Sequence, residues 1–558
     1  EGAVISSQQG QISLRAAGDV VLAEVLSLSG DISIEAGNGG AIGSIVDNSV
    51  EETLNLATNG LLTLRASTNI GGPNSQQDLN VQVFGLQATA GSGGVYVRSA
   101  DFLRIHKSGL QTLGGAGDIL VTTAAGGIEV DGRIQAAGIG RIDLTAAGDL
   151  KTRFGITSEA GSIRLAARRI EAEVAGDIST GGDGSISLQA QNSEILKNSG
   201  VAFHAQNGDI TLQAATQVLV SDLNTAGNVS ITAAQGRLID NNDTPTTKRT
   251  NITAADVKLK ADSIEQRPVD FFPGLPDALE VSVSGNLSVS VQQFAALQGS
   301  IAGTDLLEAV TLFLMSAGNL GFSTVNPSVT NLALLADVDG NNKGTLFFST
   351  PVAVSGDLRI SGADIDAGSP GINLTARNVL LQSGQSESVR LTLNDPGTGL
   401  RGSLDARSGG ALDITASTAV QLRDLDGSGQ ALASTSGTGS LKLQADGAIR
   451  VDGKIFTGSD VVLVSSADIV IDDAIDPTSI TISGLLQATS LISVSAGSDG
   501  SGDLQATAEA GMRAGSSSAG TGTIRLTAGQ HSGTLQLQGT VQAGSLLVIA
   551  AATGSVNG

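Results

Sequence analysis

Asp337, Asp339 and Asn341 stand at alternate positions in "DVDGNNKG" (337–344), with Gly340 between the last two. Hard divalent cations take several oxygen ligands, and oxygens at i, i+2 and i+4 can wrap one turn around a calcium ion. Asp424 and Asp426 open "DLDGSG" (424–429) in the same way. These five residues are the candidate metal ligands, and calcium is the one cofactor they nominate. Neither loop has the glycine at position six and glutamate at position twelve of an EF-hand. The same residue types also build turns whose side chains cap their own backbone.

Other chemistry finds less support. The three histidines, His106, His204 and His531, lie far apart, and no G-x-S-x-G phrase accompanies them. "GNNKGT" (340–345) has glycine and lysine at the wrong spacing for a phosphate-binding loop. Enzymes that process acidic polysaccharides on stacked β-coils gather Asp and Glu with Lys or Arg on one face and add aromatic platforms. Acidic residues number 54 here, but aromatics are 2% and Tyr96 is the single tyrosine. No catalytic residue is nominated, and the chain reads as a non-enzyme with a polysaccharide-processing enzyme as the alternative. The absence of cysteine removes disulfides and thiolate metal sites together. A net charge of −23 disfavours nucleic acid and anionic membrane surfaces. No run of 18 apolar residues suggests a membrane span. Phe271, Phe272, Phe313 and Phe322 gather as a ligand pocket, a partner surface or the hydrophobic seal under a non-repetitive loop, and "RGS" (401–403) is the nearest approach to an Arg-Gly-Asp motif.

The elements that must carry these residues repeat one phrase. In "GDISIEAGNGG" (30–40), Ile32, Ile34 and Ala36 alternate with Ser33 and Glu35, which puts the apolar residues on one face of a strand. "GQISLRA" (from Gly10), "GRIDLTA" (Gly140), "GSIRLAA" (Gly161), "GSISLQA" (Gly184), "GDITLQA" (Gly208) and "GTIRLTA" (Gly522) say the same. The pattern Gly-x-[ILV]-x-[ILV] occurs twenty times, where a shuffled chain of this composition would give about five. The best-matched units have their glycines at 117, 140, 161, 184, 208 and 227, so successive positions differ by 23, 21, 23, 24 and 19. Periods of this size mean stacked architectures. Leucine-rich repeats lack their signature here, and propeller blades want longer units with aromatic motifs.

The fold expected is all-β: a right-handed parallel β-helix with coils of about 19–24 residues. Each apolar stripe then packs on the next, Ile32, Ile34 and Ala36 upon Ile12, Leu14 and Ala16. Glycine is expected to open each strand because the corner requires backbone angles that a side chain resists. Residues 1–239 read as regular coils. Residues 240–350 read as an irregular sector or insertion, with a short helix in "GTDLLEAVTLFLMSAG" (303–318) capped by Thr304 or Asp305. Regular coils resume over 351–558, with a looser Gly/Ser/Ala stretch near 495–521.

The tandem "GDIxLxA" units, with the corner phrases "GGAIGSIVDNS" (39–49), "NIGGPNSQQDLNVQVFGLQA" (69–88) and "GRLIDNN" (236–242), resemble the filamentous-haemagglutinin-like large exoproteins, giant bacterial surface and secreted adhesins. The resemblance covers most of the chain outside 262–350. It implies an extracellular, cell-surface β-helical rod used in adhesion or as a structural stalk, and continuing at both ends of this section. The partners it implies are a host or neighbouring-cell surface, a glycan, or a second copy in a filament or cell–cell junction.

Overall fold

The computed structural model describes residues 4–48, 53–74, 77–242, 249–265 and 278–317, and beyond these the strands and part of the intervening turns as far as Asn557. The described residues are almost wholly strand and turn, with one single-turn 3-10 helix at Asn38–Gly40. The chain forms two compact units, Glu1–Glu265 with Ala278–Gln292 and one built chiefly of Gln293–Gly558. Each is a stack of parallel coils, a β-solenoid.

In the first unit each regular coil has three short strands, and each strand pairs with the strand three places on. The first face runs through Ile119–Thr123, Ile142–Ala146, Ile163–Ala167, Ile186–Ala190, Ile210–Ala214 and Val229–Ala233. The second runs through Ile128–Val130, Leu150–Thr152, Ile170–Ala172, Ile195–Lys197 and Val218–Val220. The third runs through Ile134–Ala136, Ile156–Ser158, Ile178–Thr180, Ala202–Ala205 and Asp222–Thr225. Ile119, Ile142, Ile163, Ile186, Ile210 and Val229 stand in one register column, each two positions after a glycine of the repeat. All six are 0–1% exposed. The pairing expected at the start of the chain holds residue for residue: Ile12, Leu14 and Ala16 face Ile32, Ile34 and Ala36. Burying aliphatic area at about 25 cal/mol per Å² drives this stacking, and the interior fills without tryptophan.

Glycine opens the first-face strands for a different reason from the one expected. Gly117, Gly140, Gly161, Gly184 and Gly208 do not have the positive φ that favours glycine. What excludes a side chain is space. A Cβ on Gly140 would stand 2.2 Å from Gly117 O, one on Gly161 2.1 Å from Gly140 O, and one on Gly208 2.1 Å from Gly184 O. The glycines form a column in which backbone touches backbone.

Hydroxyls lock that column. Ser158, at the end of a third-face strand, donates to Gly140 O in the coil before (2.7 Å) and accepts from Gly161 N in its own corner (2.9 Å). Thr225 bridges Gly208 O (2.5 Å) and Gly227 N (2.9 Å) in the same way. Ser27 and Thr58 do so at Gly10–Gly30 and Gly30–Gly60. The aspartate after the glycine reaches the other way. Asp118 accepts Arg141 N (2.9 Å) and Asp209 accepts Asn228 N (2.8 Å), each one coil on. A carboxylate accepting a backbone N–H is a charge-assisted bond. The phrase Gly-Asp-Ile therefore reads as contact below, bond above and burial within.

In the second unit Leu312, Leu332, Leu358, Val379 and Leu404 form one column, each one coil beyond the last. Another runs Ile372, Leu391, Ile414, Leu443, Leu463 and Leu486. The helix expected over 303–318 is absent: Leu279–Met315 is extended throughout, and Glu308–Met315 pairs in parallel with Ser328–Leu335. The spacing of Leu306, Leu307 and Val310 suits a helix, but a strand there joins a ladder on a neighbouring coil, and pairing overrides local pattern. Leu312 and Leu314 are buried, and so are Phe313 and Met315 between them. Both faces are thus covered over Thr311–Met315, which is why the strand ends in a continuous apolar run, whereas Leu306 and Val310 before it are exposed. Phe313 packs on Phe294 at 5.9 Å between ring centroids, and Phe322 on Phe348 at 6.1 Å.

Candidate functional site at the variable corner

The corner between the second and third faces of the first unit is where the coils from Ile119 to Ala254 differ most in the length of their connections. It spans residues 131–133, 153–155, 173–177 and 198–201, shrinks to Ser221 alone, then lengthens to 241–251. Charged side chains line its approach. Arg104, Glu129, Lys151 and Glu171 share one outward register position on the second face, so opposite charges alternate from coil to coil. Asp131, Arg153 and Glu173 begin the corner beside them. Arg104 meets Glu129 at 2.7 Å and Asp131 at 3.3 Å. Arg153 meets Asp131 at 2.7 Å, Glu173 at 3.0 Å, and also Glu129. Lys151 pairs with Glu173, and Arg169 with Glu194 at 3.1 Å. The Arg104 guanidinium also lies 5.4 Å from the centre of the exposed Phe84 ring.

This arrangement fixes charges. The Arg153 guanidinium, bonded first to Asp131 and then to Glu129, is held charged well above its ordinary range. Lys151, and after it Arg153, holds the Glu173 carboxyl below the ordinary glutamate range. Glu173 is thereby kept ionised, whereas a general acid needs a raised pKa to carry a proton near neutrality. The ladder holds successive coils together, cross-strand, by opposite charge.

Where the corner lengthens, an asparagine clamps the base of the excursion. The Asn251 side chain donates to Val220 O (3.2 Å) in the coil before and to Asp240 Oδ1, and accepts from Glu280 N (2.9 Å) in the coil after. Asn55 does the same just ahead of the strand Leu56–Ala66. It donates to Ala23 O (3.3 Å) and Asp47 Oδ1 (2.7 Å), and accepts from Asn80 N (2.8 Å). Both asparagines are fully buried. A side-chain amide supplies one donor group and one acceptor, which matches the rung that an interrupted strand leaves open. The shared "VDN…N" and "IDN…N" wording (46–55, 239–251) carried this signal.

Two coils before residues 241–251 lies Lys197, 0% exposed, on the inward side of its strand with Ile195. Its Nζ donates to Val201 O, Ser221 Oγ and Asp222 O (2.9 Å) and lies 4.8 Å from the Phe203 ring centre. Burial pushes its pKa down from 10.5 to about 7, while the nearby Asp222 and Asp177 charges act in the opposite sense. Sequence reading passed over it, although strict alternation from Ile195 places position 197 inside.

The residues nominated from sequence are not brought together here. Asp337 follows the strand Ser328–Leu335 with φ +59, a conformation aspartate tolerates better than most residues. Asp339, Asn341, Asp424, Asp426, Phe271, Phe272 and His531 lie outside the described residues. Among the described residues no group of three or more acidic or histidine side chains is placed to hold a metal ion. His106 lies between the second and third faces and His204 on the third, several coils apart. Among the described residues no helix is long and apolar enough to cross a membrane. No family model, no curated protein and no solved structure matches this chain.

Proposed function

We propose that the chain is a non-catalytic section of a bacterial surface or secreted protein, a stiff spacer that holds adhesive contacts away from the cell. What supports this is the in-register stack: every coil of the regular run repeats the same glycine contact and aliphatic column, leaving one corner free to vary. The variable corner is the surface offered to a glycan, a neighbouring cell or a second copy. Its charges neutralise one another instead of converging on a vacant point where a substrate would react.

Purified protein incubated with acidic glycans and with cell-surface glycan arrays tests the reading. Binding without turnover is the expected outcome, weakened by substitutions on the excursion 241–251. Turnover of an acidic glycan that Glu129→Gln abolishes would replace the spacer with a polysaccharide-processing enzyme.

A further inference from the structure

The three groups around Lys197 Nζ serve either protonation state. A neutral amine gives its two N–H bonds to Val201 O and Asp222 O and accepts the Ser221 hydroxyl on its lone pair once that hydroxyl turns away from Val201 O (3.1 Å). An ammonium uses Ser221 Oγ as a third acceptor instead. The difference is the charge, which in the second case is enclosed with no carboxylate at salt-bridge distance among the described residues. Such a charge is relieved by reaching water. The nearest route is the corner itself. One residue, Ser221, joins the second face to the third there, and the amine spans it to the 198–201 turn of the coil before. The next coil rests on this point, since Asn241 Nδ2 donates to Lys197 O (2.8 Å) and Asn251 Nδ2 to Val220 O (3.2 Å).

We propose that Lys197 is a proton-operated latch: uptake of a proton at its amine opens the 198–201 turn from Ser221 and Asp222 and loosens the base of the 241–251 excursion. The charged or titratable groups on the surrounding elements are Glu171, Glu173 and Asp177 in the coil before, Glu194 and His204 in its own, Asp222 in the coil after, and Arg237 and Asp240 beyond it. For an amine whose pKa falls on folding, the closed corner binds fewer protons than the open one between 10.5 and about 7. Closure is therefore strongest above that window, weakens as the pH falls through it, and is constant below it.

Hydrogen exchange of the full chain from pH 6 to 10, corrected for intrinsic rates, tests the latch at the amides of Val201, Leu223 and Asn241. In the wild type, one-proton linkage makes protection fall up to about tenfold per pH unit from pH 10 to 7, then level off. Lys197→Met, which keeps the volume without the charge, removes the slope. Parallel profiles in wild type and Lys197→Met would overturn the proposal. Nitrogen NMR of labelled lysine in the unmutated chain gives a second reading, since an Nζ titrating near its ordinary 10.5 refutes the latch even if the variant fails to fold.

Discussion

Two corners of the first unit obey opposite rules. At the glycine corner each coil repeats the contact of the last, to within a few tenths of an ångström in the space left for a side chain. At the second-to-third corner the connection ranges from Ser221 alone to residues 241–251. The first is set by backbone closeness and locked by hydroxyls such as Ser158; at the second, the Arg153 ladder, Lys197 and Asn251 supply side-chain bonds between coils. Register in a parallel stack has to be set once per coil. Setting it at the glycine corner leaves the other corner free to change length, provided a polar side chain meets each backbone group that the change strands.

Substitution separates the two rules. Gly140→Ala drives a Cβ into Gly117 O, backbone against backbone on both sides. It should cost about 3 kcal/mol of local stability, seen as lost hydrogen-exchange protection in Ile142–Ala146. Gly200→Ala is the contrast. Gly200 has φ +83 but no heavy atom within 4 Å, so only conformational strain of about 1 kcal/mol applies. Equal losses at the two would mean that closeness is not what the glycine corner enforces. Asn251→Ala comes next. It removes the Oδ1 acceptor of Glu280 N and the second donor to Val220 O, which keeps Asn241 N (2.8 Å), a loss of about 2 kcal/mol, read as exchange at the amides of positions 223 and 251 while Ile142–Ala146 stays unchanged.

The smallest effect belongs to the ladder. Arg153 is about a third exposed (35%), so Arg153→Met should cost under about 1 kcal/mol and less in high salt. The Glu173 contribution has a definite sign. A carboxyl held below its ordinary value of 4.5 stabilises the fold above that pH, and the contribution disappears as acid protonates it. Thermal unfolding of Glu173→Gln and wild type should therefore converge on acidification. A gap that widens in acid would show that the ladder does not act by charge.

The stacked fold was legible because Gly-x-Ile-x-Leu carries face, corner and period in one short phrase. The reason for the glycine was not, since close approach of two backbones a whole coil apart leaves no local trace. The Ser158 and Thr225 locks sit in "TSEAG" and "NTAG", phrases too short and common to stand out. Residues 303–315 imitate a helix because apolar Leu306 and Val310 stand on the exposed face and Thr311–Met315 is buried on both, so the alternation is lost. Lys197 was hidden by expectation: a lysine in "EILKNSG" is taken for surface unless the alternation from Ile195 is followed through.

The glycine column also makes the molecule divisible. Gly117, Gly140, Gly161, Gly184 and Gly208 meet their neighbours alike, so excising the turn between any two and splicing the ends would recreate a junction already present. Reach then becomes a counted quantity, added or subtracted in whole turns of about 4.8 Å, and a gene could lengthen or trim it by copying rather than by redesign.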